Sequence, residues 1–118
     1  MRYLGIDVGK RRCTAVVKDD RGMLLTEISF LNKRDDVVQL LNRLEPCRDL
    51  QAVMESTSNV WVKVYDALEE HGIPVKLANP LKTKAIAEAR IKSDRLDASI
   101  LADQLRGDLV AESYVPPK

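Results

Sequence analysis

The apolar residues of the chain first fall into short runs separated by turn chemistry, and only later into helical stripes. Residues 2–8, 14–18 and 23–30 each read as a strand. Gly9-Lys10 ends the first, and Asp19-Asp20-Arg21-Gly22 turns between the second and third. Links this short allow only antiparallel pairing, so the start of the chain predicts a three-stranded meander. The period then changes. Over residues 35–44, Val37, Val38, Leu40, Leu41 and Leu44 recur at helical spacing behind Asp35 and Asp36, and Pro46 stops the pattern.

Residues 49–54 predict a fourth strand. Ser56-Thr57-Ser58-Asn59 offers N-cap chemistry to a second helix whose buried face would carry Trp61, Val64, Tyr65 and Leu68, closed by His71-Gly72. Residues 73–78 predict a fifth strand, and Asn79-Pro80 opens a third helical stretch to about residue 90. A last helix covers residues 92–105, with Gly107 at its end and Pro116-Pro117 beyond. This order of elements predicts an α/β fold, a mixed five-stranded sheet flanked by helices. Right-handed crossovers put the first strand beside the fourth, giving strand order 3-2-1-4-5. A dinucleotide-binding fold is disfavoured, because Gly5 and Gly9 flank an aspartate and lead into a hairpin instead of a helix.

Acid appears where this pattern calls for apolar residues. Asp7 lies between Ile6 and Val8 inside the first strand, on the face of Tyr3 and Gly5. Charged groups in central strands are seldom buried without a partner. Glu55 ends the fourth strand. In the last helix Ala98, Leu101, Ala102 and Leu105 form one stripe, which extends backward onto Asp97 and Asp94. Taken alone, these two aspartates read as a cap and a first-turn acid, the commoner use of such a pair. The predicted topology changes that reading. It sets Asp7 and Glu55 on neighbouring central strands near their carboxyl ends, and the helix bearing Asp94 and Asp97 must pack on the same sheet. Four carboxylates from three elements make an oxygen-rich site suited to Mg²⁺ or Mn²⁺, and two such ions suit in-line phosphoryl transfer.

Composition narrows the picture. The chain has 118 residues, enough for one compact domain, with 45% hydrophobic and 31% charged residues. Lys plus Arg number 19 against 18 Asp plus Glu, a net charge of +1, so any basic footprint must be local. One exists: between residues 76 and 95, Lys76, Lys82, Lys84, Arg90, Lys92 and Arg95 outnumber Glu88 and Asp94. It reads equally as a phosphate-holding surface or a solvated helix face. Aromatic residues are only 4% of the chain, so base stacking is not indicated. Cys13 and Cys47 lack metal-ligand spacing, and Cys13 reads as a buried free thiol, which suits a reducing cytoplasm. No apolar run is long enough to predict a signal peptide or a membrane span. The single histidine, His71, falls in a last helical turn and is given no catalytic role.

Four blocks carry a family resemblance. Ile6-Asp7-Val8-Gly9-Lys10, Met54-Glu55-Ser56-Thr57, Ala78-Asn79-Pro80 and Lys92-Ser93-Asp94-Arg95-Leu96-Asp97-Ala98 resemble, in order, the blocks of the DEDD transposases of insertion-sequence family one-ten, to which the Piv invertase is related. The resemblance implies a ribonuclease-H-like, RuvC-like fold and Mg²⁺-dependent recombination of insertion-sequence ends with target DNA. It implies Asp7, Glu55, Asp94 and Asp97 as catalytic metal ligands, with Lys10 at a further matching position. A guide RNA, used by some members, joins DNA among the implied partners, and a homo-oligomer is expected of the full-length protein. Family members continue past the Pro-Pro pair into a second domain bearing a serine nucleophile. Residues 1–110 are therefore expected to form the catalytic domain, and residues 111–118 to begin a linker toward that domain.

Two other readings remain at this point. Leu4-Gly5-Ile6-Asp7-Val8-Gly9 is also close to the opening motif of YqgF-type Holliday-junction resolvases, and a stand-alone RuvC-like nuclease would have this size. Actin-like and sugar-kinase lobes, too, open with an aspartate-glycine hairpin that holds ATP phosphates. They need a second lobe with a matching phosphate loop, which the chain does not contain.

Overall fold

Among the described residues, eight elements follow one another: β1 (Arg2–Val8), β2 (Arg12–Lys18), β3 (Leu24–Leu31), α1 (Arg34–Arg43), β4 (Leu50–Glu55), α2 (Val62–Glu70), β5 (Val75–Ala78) and α3 (Ala98–Arg106). The computed structural model describes residues 1–55, 59–79, 97–110, 112, 113 and 115. The helical stretch expected over residues 80–90, and the first turn expected for the last helix, lie outside the described residues.

The sheet order is β3-β2-β1-β4-β5, as the crossover rule predicts. β1 pairs antiparallel with β2 and parallel with β4, and β4 runs parallel to β5. Alternation along β1 divides the molecule. Leu4, Ile6 and Val8 point to one face, where Cys13, Ala15, Val17, Ala52, Met54 and Leu77 join them under α1 and α2. Tyr3, Gly5 and Asp7 point to the other. That second face is packed by α3, whose Leu101 and Leu105 meet Val53 and Ala78.

Gly5 governs how close α3 comes. A Cβ at this position would overlap the carbonyl oxygen of Ala98 and lie 2.7 Å from the amide nitrogen of Ala102. The helix backbone thus rests directly on the strand, an approach open only to glycine. Further along, Lys18 Nζ on β2 donates to Asp103 Oδ2 at 2.8 Å, and the Arg106 guanidinium lies over Gly22 in the β2–β3 turn. These contacts set the helix direction. Its start points toward the carboxyl ends of β1 and β4, and its end toward their amino ends.

Loop chemistry explains where elements stop, including the differences from the sequence pattern. β2 begins at Arg12, two residues earlier than expected, because Gly9 N donates to Arg12 O at 3.1 Å and closes a tight hairpin. In the β2–β3 turn, Asp19 Oδ1 accepts from Arg21 N and Met23 N while Gly22 takes φ 82°. α2 begins at Val62, with Trp61 at its N-cap and no side-chain cap, so Asn59 does not cap it; residues 56–58 lie outside the described residues. Its buried residues are Val64, Ala67 and Leu68, while Trp61 and Tyr65 are half-buried and pack edge to face on the same core. β5 starts at Val75 because Ile73 belongs to the helix terminus: Ile73 N donates to Leu68 O and Gly72 N to Glu69 O, with Gly72 left-handed. α3 ends at Gly107, its C-cap, as the sequence pattern indicates, with the same bonding pattern, and Asp108 takes the left-handed position at φ 56°. Beyond it, Glu112 bridges Ala78 antiparallel and Ser113 N donates to Leu77 O at 2.6 Å, so these residues lie along the β5 edge.

Asn32 ties the loops at the carboxyl end together. It is 8% exposed, and its Nδ2 donates to Gly9 O and to Val60 O, both at 2.9 Å. Its backbone N donates to Arg11 O at 2.8 Å. One buried side chain thus joins the β1–β2 hairpin, the end of β3 and the segment entering α2.

Two outcomes follow for urea unfolding. Gly5→Ala is expected to lower stability by about 3 kcal/mol, because the obstacle is helix backbone and cannot rotate away. Asn32→Ala is expected to cost about 2 kcal/mol, since it leaves two carbonyl acceptors without their donor. A wild-type midpoint in either variant would contradict the packing or hydrogen bonding described for that residue.

Candidate functional site

Asp7 and Glu55 come together through register. Ile6 pairs with Met54 across β1 and β4, so Asp7 and Glu55 stand one step beyond that pair on adjacent parallel strands. Neighbours at one level of a parallel pair share a face, and this is the face of α3. Adjacent strands lie about 4.8 Å apart, so the two carboxylates open onto a common space. Asp7 is half-buried, and Glu55 is only 8% exposed. Asp7 stands opposite Thr14 on β2, and Glu55 opposite Ala78 on β5.

The Gly5 contact brings the start of α3 to this place. Ala98 lies over Gly5, two residues before Asp7 on the same face, and Asp97 immediately precedes the helix. Asp97 is its N-cap, with Oδ1 accepting from Ile100 N at 2.9 Å. The cap expected of this motif therefore falls on Asp97. Capping engages Oδ1 and leaves Oδ2 for another role. Free N–H groups and the helix dipole also make this end of α3 locally positive, which suits phosphate.

The expected residues divide as follows. Asp7 and Glu55 share one face at adjacent strand ends, and Asp97 is at the helix start packed on that face. Lys10 is exposed in the hairpin after β1. Asp94, Lys82, Lys84, Arg90, Lys92 and Arg95 lie outside the described residues. Among the described residues no three carboxylates, histidines or cysteines are grouped closely enough to hold a metal. The donor set nevertheless fits a hard divalent cation in kind: carboxylate oxygens alone, two of them on rigid strands, with no thiolate or imidazole nearby. Cys13 is buried on the opposite face, and His71 lies at the end of α2 with Nδ1 2.8 Å from Ala67 O.

Two contributors to the site gave little warning in the sequence. Asn32 follows a strand and resembles any polar loop residue; its role depends on carbonyls 23 and 28 residues away. Lys18 is an ordinary strand-end lysine until α3 covers it, leaving it 8% exposed against Asp103.

Comparison with known proteins bears on the fold and the family. RuvC from Thermus thermophilus, solved with a Holliday junction substrate, superposes with a TM-score of 0.65 at 16% identity, covering 96% of this chain and 99% of that one. A second Thermus thermophilus RuvC structure gives 0.55 at 20% identity, covering 98% and 85%. The large terminase nuclease of thermophilic phage G20c gives 0.55 at 18% identity, covering 93% and 56%. These likenesses establish a ribonuclease-H-like, RuvC-like fold. Comparison with curated proteins gives no match. The DEDD_Tnp_IS110 family model, described as a transposase, matches residues 4–117. That span takes in the Asp7, Glu55 and Asp97 elements alike, and the chain belongs to the IS110 family of DEDD transposases.

Proposed function

We propose that this domain carries out the strand cleavage and joining of DNA transposition at a divalent-metal site held by Asp7, Glu55, Asp94 and Asp97. The observation that carries the reading is the shared face: Asp7 and Glu55 at adjacent strand ends, with the N-terminus of α3 on the same side. Membership in a transposase family makes this a DNA-acting, phosphoryl-transferring domain and decides against an ATP-binding lobe. It also favours the transposase over a stand-alone resolvase.

Asp7 and Glu55 supply hard oxygen ligands from strands whose backbone is held on both sides by hydrogen-bonded neighbours. Asp97 is oriented by its own cap, which fixes the carboxylate at the helix start. Bound Mg²⁺ or Mn²⁺ would lower the pKa of an attacking water or hydroxyl and offset charge on the phosphate. The start of α3 presents its backbone dipole to that same phosphate. Lys10, with Lys82, Lys84, Arg90, Lys92 and Arg95, would hold neighbouring phosphates. In this reading residues 1–110 are the catalytic unit, and residues 111–118 lead toward a serine-bearing domain that completes recombination. A guide RNA and a homo-oligomer belong to the same full-length assembly.

Two measurements test the site. Mn²⁺ at millimolar concentration is expected to raise the melting temperature of the wild-type chain, and Asp7→Asn or Glu55→Gln to abolish the rise. In the assembled transposase either substitution is expected to cut DNA cleavage by about 10³-fold or more, since several kcal/mol of charge stabilisation go with the metal. A wild-type metal response in both variants would sink the shared site. Efficient junction resolution by this chain alone would favour the resolvase.

A further inference from the structure

The face that carries Asp7 does not end at α3. The helix packs on β1, β2 and β4. On β3 the residues of the same face, Leu25, Glu27, Ser29 and Leu31, are all exposed. Register continues the row of the site outward: Asp7 stands opposite Thr14, and Thr14 opposite Ser29. At about 4.8 Å per strand the row extends roughly 10 Å from Asp7 to the sheet edge. Two hydroxyls thus lie in line with Asp7, that of Thr14 half-buried and that of Ser29 exposed at the sheet edge.

Cations border that row. The hairpin Gly9-Lys10-Arg11-Arg12 lies directly beyond Asp7 and Val8, and Lys10, Arg11 and Arg12 are all exposed. Arg12 is two residues before Thr14 and therefore on the face of Asp7. It pairs with Leu31, and the exposed Lys33 follows two residues later. None of these four cations forms an ion pair among the described residues. Nearby charges are otherwise engaged: Arg34 pairs with Glu70, and Asp36 Oδ2 accepts from Leu31 N. Among the described residues, Asp35 and Glu27 are the exposed acids of the neighbouring α1 start and β3.

The hairpin is also held rigidly. Asn32 donates to Gly9 O through its side chain and to Arg11 O through its backbone, so both ends of the basic turn are anchored. A Cβ on Gly9 would overlap Arg12 O, so the turn is as tight as the chain allows. A rigid cationic turn loses little entropy on binding. Among the described residues no aromatic side chain lies in the hairpin: Phe30 is buried, Trp61 and Tyr65 pack against each other on the core, and Tyr3, on the face of Asp7, donates its hydroxyl to Asp20 at the other end of the sheet. Among the described residues, unpaired bases would find no ring in the hairpin to stack on, whereas the sugar-phosphate backbone of a duplex would find charges and hydroxyls.

We propose that Arg11, Arg12 and Lys33, with Lys10 and the Thr14 and Ser29 hydroxyls, form a phosphate shelf for the DNA duplex flanking the reacting phosphate. This rests on the reading that Asp7 and Glu55 hold that phosphate. The shelf lies on the β2–β3 side of the site. Duplex would therefore be gripped on one flank by a preformed turn.

The test compares two charge-matched variants of the chain, binding a 20-bp duplex by fluorescence anisotropy over a salt series. Each phosphate that is no longer neutralised flattens the salt slope by about 0.9. Arg11→Ala/Arg12→Ala is expected to reduce the slope by about two and to weaken binding at least tenfold at low salt. Arg43→Ala/Arg48→Ala, with both sites exposed near the opposite pole, is expected to leave the slope unchanged. Arg11→Lys/Arg12→Lys, which keeps the charge, is expected to restore it, and melting temperatures verify that all variants fold. An unchanged slope in the hairpin variant, an equal loss in the control, or a loss confined to a single strand of the same sequence would overturn the shelf. The Mn²⁺-dependent rise in melting temperature is expected to persist in Arg11→Ala/Arg12→Ala, so failure of the metal site and failure of the shelf give different results.

Discussion

The close approach of Gly5 to the backbone of α3 is the constraint on which the rest of the site depends. Packed layers are normally held apart by the side chains between them, by about 10 Å for one sheet on another. Here the strand has no side chain to offer, and the carbonyl of Ala98 and amide of Ala102 occupy the space a Cβ would need. The helix start is thereby lowered onto the face that carries Asp7. Any larger residue at position 5 would lift it and carry Asp97 away from the strands.

Around that approach, the domain separates stability from chemistry by face. The side under α1 and α2 is apolar and fully packed, with Ile6, Met54 and Leu68 among its buried residues. The side under α3 has a smaller apolar cluster and accommodates polar groups at its margins. Lys18 and Asp103 pin the helix at one end, and Asp97 caps it at the other. Alternation along β1 lets one strand serve both sides: Leu4, Ile6 and Val8 anchor the core while Asp7 is directed at the site. Asn32 then holds the β1–β2 hairpin and the segment at Val60 entering α2 against each other through one side chain.

Much of this was legible in residue pattern because it follows from local periodicity. The hairpin links at Gly9 and Gly22 force antiparallel neighbours, and the two strand–helix–strand units force parallel ones, so the sheet order follows with little freedom. Asp7 was conspicuous because it interrupts an apolar strand. Boundaries were less legible. β5 began two residues later than its apolar run, since Ile73 N had already been taken by Leu68 O. The α2 start moved to Val62, because a turn through Asn59–Trp61 precedes the helix where a Ser/Thr cap had been expected.

Sequence alone determined the element types, the sheet order and the acids that merit attention, because periodicity, turn residues and a misplaced carboxylate are all local signals. It also carried the family resemblance that the match over residues 4–117 bears out. Tertiary structure decided how those acids stand to one another. Register placed Asp7 beside Glu55, and the missing side chain of Gly5 set the height of α3. Burial turned Lys18 and Asn32 from ordinary polar residues into fixtures of the fold. Each of these is a relation between residues distant in the chain, and no local pattern encodes such a relation until the strands have paired and the helix has settled on them.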